Sequence, residues 1–187
     1  MARLIYAGIT SLDGYVADAD GSFAWAMPDA EVHAFVNDTQ RGIGTHLYGR
    51  RMYEVLSAWE TMDVVDEPAV MQDYAQLWRA ADKIVYSTTL PDVTTSRTSL
   101  MRVFDVDAVR KLKQDSDLDL LVGGPGLAAT AVREGLVDEI RQLLVPVIVG
   151  GGTPFLPAAL KLTLELVDER RFAHGTVALA YAVRGDG

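Results

Sequence analysis

Leu118-Asp-Leu-Leu-Val122 runs without interruption into Gly123-Gly-Pro-Gly-Leu-Ala-Ala129. The apolar first half reads as a buried strand, and Leu127 to Leu136 reads as a helix. Glycines between them bare the backbone N–H groups at the helix's positive end. That geometry favours a phosphate, because no side chain blocks its approach and the helix dipole attracts it. A tight turn that needs glycine for its dihedrals alone would give the same sequence. Both readings put a strand–turn–helix unit here, which makes the chain α/β.

Gly124-x-Gly126-x-x-Ala129 also matches the dinucleotide fingerprint of doubly wound folds. That fingerprint normally opens the first βαβ unit, with an acidic residue about 20 positions on. Here it comes late, and too little chain follows to build a doubly wound half. Upstream, strands and helices alternate. Leu4 to Thr10 reads as a strand ending at the turn Ser11-Leu12-Asp13-Gly14. Met27-Pro28-Asp29 opens a helix with Val32, Phe35 and Val36 as its apolar stripe. Thr45 to Tyr48 and Lys83 to Ser87 read as strands. Arg51 to Trp59, Val70 to Ala80 and Val106 to Lys113 read as helices, and Thr88 to Ser99 as a polar connection. Downstream the pattern turns all-β: one long strand from Ile140 to Val149, then a hairpin of Leu162 to Val167 and Thr176 to Val183 turning near Gly175. The expectation is one domain over 1–187, a mostly parallel sheet flanked by helices with a C-terminal antiparallel hairpin.

Of the 187 residues 49% are hydrophobic, enough for one substantial core. The formal net charge of −9 disfavours nucleic acid and anionic lipid as partners, so cations for an anionic ligand must be concentrated locally. With no cysteine there is no disulfide, thiolate nucleophile or Cys-ligated metal. The N-terminal run lacks a signal peptide's apolar region and no stretch reaches membrane-spanning length, so a cytoplasmic location is expected.

Two more strand ends carry suitable chemistry. In Leu47-Tyr-Gly49-Arg50-Arg51-Met52-Tyr53-Glu54, paired arginines open a helix, where cations are unfavourable without an anion. A guanidinium holds phosphate bidentately, and the 2′-phosphate of NADPH is a natural ligand; pairing with Glu54 or Asp63 is the structural alternative. Ser87, Thr88 and Thr89 end another strand, where open α/β sheets bind ligands. Gly150-Gly151-Gly152 has no P-loop lysine, and its close approach to a ligand or to another strand stays open. Helical spacing accounts for Tyr53, Trp59, Tyr74 and Trp78 as core or interface aromatics. His33, His46 and His174 form no metal-binding spacing, so no metal is expected, and no Gly-x-Ser-x-Gly elbow exists.

Four segments together resemble the dihydrofolate-reductase-like reductases: Ser11-Leu-Asp-Gly-Tyr-Val-Ala17, Gly49-Arg50-Arg51-Met-Tyr-Glu54, Val122-Gly-Gly-Pro-Gly126 and Pro146-Val-Ile-Val-Gly-Gly-Gly152. The branch they resemble is the stand-alone kin of the reductase domain of the riboflavin-biosynthesis deaminase-reductase. The resemblance implies NADPH on the sheet's carboxyl edge. Pyrophosphate would lie near Gly123, Gly124, Pro125, Gly126 and Leu127, and the adenosine phosphate near Gly49, Arg50, Arg51 and Ser87 to Thr89. It also implies nicotinamide at the Ala7 backbone, substrate among Asp13, Trp25, the Pro28 helix and Tyr53, and a homodimer.

By the same resemblance the activity is that of a 5-amino-6-(5-phosphoribosylamino)uracil reductase or a pterin reductase, with Asp13 as the candidate proton relay or orienting group. An Asx-turn is the bland reading of Asp13-Gly14. The chain departs from dihydrofolate reductases at one position. After Trp25-Ala-Met-Pro28, Ala30 stands where they carry an acid, while Asp29 and Glu31 flank it. A catalytically silent NADPH-binding sensor, a dihydrofolate reductase and a doubly wound dehydrogenase are the competing readings. Lack of cysteine excludes the zinc-dependent deaminase half.

Overall fold

The computed structural model describes residues 1–184. Along the chain its strands are β1 (Leu4–Thr10), β2 (Tyr15–Ala17), β3 (Ile43–Gly49), β4 (Asp82–Tyr86), β5 (Thr98–Met101), β6 (Asp119–Gly123), β7 (Glu139–Leu144), β8 (Thr153–Pro154), β9 (Thr163–Arg171) and β10 (Val177–Arg184). Its helices are α1 (Ala30–Gln40), α2 (Arg50–Leu56), α3 (Ala58–Thr61), α4 (Ala69–Ala80), α5 (Val106–Asp115) and α6 (Pro125–Arg133). Eight strands form one sheet in the order β5-β4-β3-β6-β1-β7-β10-β9. The first six are parallel, and β10 and β9 close the sheet antiparallel.

Parallel strands covered on both faces must be apolar nearly throughout, which is what Leu4-Ile-Tyr6 and Leu120-Leu-Val122 supply. One face packs Leu4, Tyr6, Leu47, Leu120 and Val122 against Val109 of α5 and Ala128, Ala131 and Val132 of α6. On the other, Val32, Phe35 and Val36 of α1 meet Ile9, Leu143, Phe172 and Ala178. The apolar stripe read from the sequence is therefore the buried one. Asp29 starts α1 by accepting the Val32 N–H at 2.8 Å. Lys83 ends α4 by donating to the Trp78 and Ala81 carbonyls at 3.0 and 2.8 Å.

Several boundaries differ from expectation. The long strand from Ile140 stops at Leu144, because Pro146 has no N–H to continue the ladder and the chain turns off toward Gly150. Inside the polar Thr88 to Ser99 connection the structure begins β5 at Thr98, a short edge strand on β4. Arg51 to Trp59 divides into α2 and α3 at Ser57. β2 and β8 form a small second sheet, each strand too short to show a period in the sequence. Its pairing answers the question left by the glycine run. A Cβ on Gly152 would lie 2.1 Å from the Ala17 carbonyl oxygen, so the close approach there is to another strand.

Leu120 is wholly buried at the centre of the sheet. Leu120→Ala should cost about 2–5 kcal/mol, read as a lower urea midpoint with an unchanged slope.

Candidate active site

All six parallel strands point their carboxyl ends to one edge of the sheet, so the loops after β1, β3, β4, β6 and β7 gather there. The β1–β6 ladder stops at Tyr6 and Val122, whereas β1–β7 pairing continues to Thr10 and Leu144. Past Tyr6, then, the backbone of Ala7 and Gly8 faces an open seam on the β6 side. The chain leaves β1 for β3 on one side and leaves β6 for β7 on the other, which makes this seam the switch point where such sheets bind ligands.

At the mouth of the seam β6 turns into α6 through Gly124, at φ +93° and ψ +127°. Only glycine adopts that conformation without strain. Gly123 is needed for another reason: a Cβ there would sit 2.8 Å from the Tyr48 ring and 3.2 Å from Met52. No side chain caps α6, and Pro125 at its start removes one N–H that could not be paired in any case. Space beside Gly126 is open. The first turn of α6 therefore presents backbone N–H groups and the positive dipole end to the seam.

β3 ends beside that turn, for a Cβ on Gly49 would lie 3.7 Å from Leu127. Arg50 donates to Glu54 at 2.7 Å and to the Thr89 hydroxyl at 3.0 Å, joining the loops after β3 and β4. Half of its side chain stays exposed, and Arg51 and Thr88 beside it are exposed as well. Ser87 Oγ accepts the N–H groups of Thr89 and Leu90 at 3.2 and 2.9 Å. The residue that fixes this loop is Arg102, which donates to the Ser87, Leu90 and Pro91 carbonyls. Sequence reasoning missed Arg102, and its only signal was a cation just beyond an unrecognised strand.

Each expected substrate residue has its own local partners. Asp13 is on the surface, its carboxylate accepting the Val149 and Gly150 N–H groups at 3.2 and 2.7 Å. A hydrogen bond with Ser11, helped by those two N–H groups, holds its carboxyl below the ordinary range, so it is ionised near neutrality. Trp25 lies in a short 3-10 turn and donates to the Ser22 carbonyl at 3.1 Å. Tyr53 departs from the expected substrate position. It is 4% exposed in a cluster with Tyr48, Val85 and Leu90, and its hydroxyl accepts the Thr94 N–H at 2.9 Å. Its helical spacing made it a core aromatic.

A cavity of about 760 Å³ opens on the α1 face of the sheet, between that helix, α2 and the seam. Ala7, Ile9, Phe35, Met52, Leu56 and Gly123 line its carboxyl half. Asp13, Trp25 and Tyr53 are not in its wall. Neither acid of α1's first turn faces it: Asp29 caps the helix, and Glu31 pairs with Arg170 at 3.3 Å. Along one side Tyr48 is buried, sharing a 2.6 Å hydrogen bond with His46 Nδ1. Burial, with the Lys83 cation as second cause, pushes His46 down to about 3.

A parallel sheet split at its switch point over a glycine-opened helix defines the class, an α/β reductase fold of the dihydrofolate-reductase type. The chain belongs to the RibD C-terminal domain family, whose model matches residues 2–178. It is 28% identical over 187 residues to the protein YyaP of Bacillus subtilis, covering 98% of this chain and 96% of that one. A Shewanella sp. PV-4 protein assigned to riboflavin biosynthesis superposes with TM-score 0.76 at 21% identity, over 99% of this chain and 100% of that one. The deaminase/5-amino-6-(5-phosphoribosylamino)uracil reductase of Thermotoga maritima gives TM-score 0.66 at 14% identity, with 98% of this chain on 57% of that one. Dihydrofolate reductase of Enterococcus faecalis, complexed with NADP(H), gives 0.60 at 13%, over 98% and 97%.

Two outcomes follow from the geometry. Gly124→Ala, forced into a glycine-only conformation, should cost about 1–3 kcal/mol in thermal or urea unfolding. His46 is neutral when folded, but the unfolded chain protonates it near its ordinary value of about 6.5. The folded state thus binds fewer protons between that value and about 3. Its contribution is full above about pH 6.5 and drains as pH falls toward about 3. Melting temperatures across this range should fall less steeply in His46→Gln than in wild type.

Proposed function

We propose that the protein is an NADPH-dependent reductase that delivers hydride to a pyrimidine- or pterin-type substrate, in the manner of 5-amino-6-(5-phosphoribosylamino)uracil reductases. One observation carries this: the uncapped start of α6 lies beside Arg50 and Thr89, at the edge of β1 left unpaired past Tyr6. A dinucleotide diphosphate fits that arrangement, with its diphosphate on the N–H groups of Gly126 and Leu127. Arg50 and exposed Arg51 would meet the 2′-phosphate, and the Ala7 backbone the nicotinamide amide.

When bound, NADPH supplies the hydride, and the chain supplies orientation and exclusion of water. Ile9, Phe35 and Met52 wall the cavity beside Ala7 with apolar surface, so a flat ring held there lies against the same stretch of β1. We assign Asp13 a positioning role: its ionised carboxylate ties the loop after β7 to the turn after β1. Dihydrofolate is disfavoured as the substrate because no carboxylate of α1's first turn reaches the cavity to pair with a pterin. The homodimer implied by the sequence resemblance belongs to the same proposal.

Titration of tryptophan fluorescence with NADPH and NADH tests this reading. NADPH should bind tighter than NADH, and Arg50→Ala should weaken NADPH by about 10–100-fold while leaving NADH nearly unchanged. Failure of both nucleotides to bind would refute it.

A further inference from the structure

We propose that the cavity selects a neutral, non-phosphorylated ring substrate; this rests on the reductase reading and narrows it. The charges in its wall decide the matter. Two arginines, Arg3 and Arg141, stand against four carboxylates, Asp38, Asp119, Glu139 and Asp168. Neither arginine is free. Arg3 holds Asp119 at 2.6 Å and Glu139 at 2.5 Å, and Arg141 holds the other oxygen of Glu139 at 2.5 Å.

Arg3, Asp119 and Glu139 mark the amino edge of the sheet, while Arg141, in register with Ala7, is held to Glu139. Ile9, Phe35, Met52 and Leu56 give the wall apolar surface nearer the seam. Arg170 beside the mouth is committed as well: it pairs with Glu31 while stacking on Phe35 and Phe172. Arg102 is tied into the loop after β4, and Arg50 belongs to the cofactor edge. Among the described residues, no uncommitted cation reaches the cavity. A phosphate dianion would enter a net-negative wall with no bidentate partner, whereas a neutral unsaturated ring meets matching apolar surface.

The chemistry balances for such a ring. Bound NADPH would supply hydride to carbon of a C=N or C=C–C=O group and be oxidised to NADP⁺; the displaced electron pair would move to nitrogen or oxygen, and that atom would take a proton from solvent.

A matched ligand pair tests the inference without turnover: 5-amino-6-(ribosylamino)uracil and its 5′-phosphate, titrated by calorimetry into NADP⁺-saturated protein at low and high salt. The unphosphorylated compound should bind at least about tenfold tighter, and the gap should narrow as salt screens the repulsion. Equal or tighter binding of the phosphate, or no binding of either compound, would overturn the inference. If NADP⁺ itself does not bind, the reductase reading fails instead, so the two failures are distinguishable.

Discussion

Everything proposed for this protein depends on where one backbone ladder stops. β1 and β6 pair through Tyr6 and Val122 and then part, because β6 must turn into α6 at Gly124 while β1 continues beside β7. Each side of that divergence is held by packing. Tyr48 fills the space a Cβ on Gly123 would need, and Phe155 stacks on Tyr6 with ring centroids 4.2 Å apart. Phe155 also occupies the place of a Cβ on Gly8, so bulk on one face of β1 keeps the strand in line while the other face stays open to the cavity. The open seam is therefore a product of close packing around it.

Electrostatics follow the same division. The chain is strongly acidic overall, yet Arg50 and Arg51 follow β3 and Arg102 follows β5. Arg102 spends its charge holding carbonyls, while Arg50 keeps a half-exposed guanidinium between two loops. Arginines on the cavity side are matched to carboxylates instead. Arg50 thus keeps exposed positive charge beside the start of α6, while the carboxylates in the cavity wall outnumber its arginines.

Much of this was legible from residue patterns. The Leu118 to Ala129 segment predicted its strand, turn and helix because glycine placement and apolar runs are local properties. Gly49-Arg50 and the Ser87 loop were legible for the same reason, each lying at the end of an apolar strand. Their meeting at one edge was not, since it depends on strand order. Long-range pairing hid the rest. β2 and β8 are too short to show a period, and Pro146 ended a strand that hydropathy alone extended to Val149. Tyr53 shows how spacing can outweigh a family pattern: its periodic position on α2 put it in the core, with its hydroxyl on the Thr94 backbone. Asp13 sits in the expected turn, but its partners lie across the chain at Val149 and Gly150, which no local pattern shows.

Hydrogen exchange of the protein with and without NADPH tests the central claim most directly. The nucleotide should slow exchange at Gly126 to Ala128, at Ala7 and Gly8, and through the Arg50 and Thr89 loops together, because one ligand spans that seam. Protection confined to other elements, with these four segments unchanged, would show that the open edge of β1 is not the cofactor site.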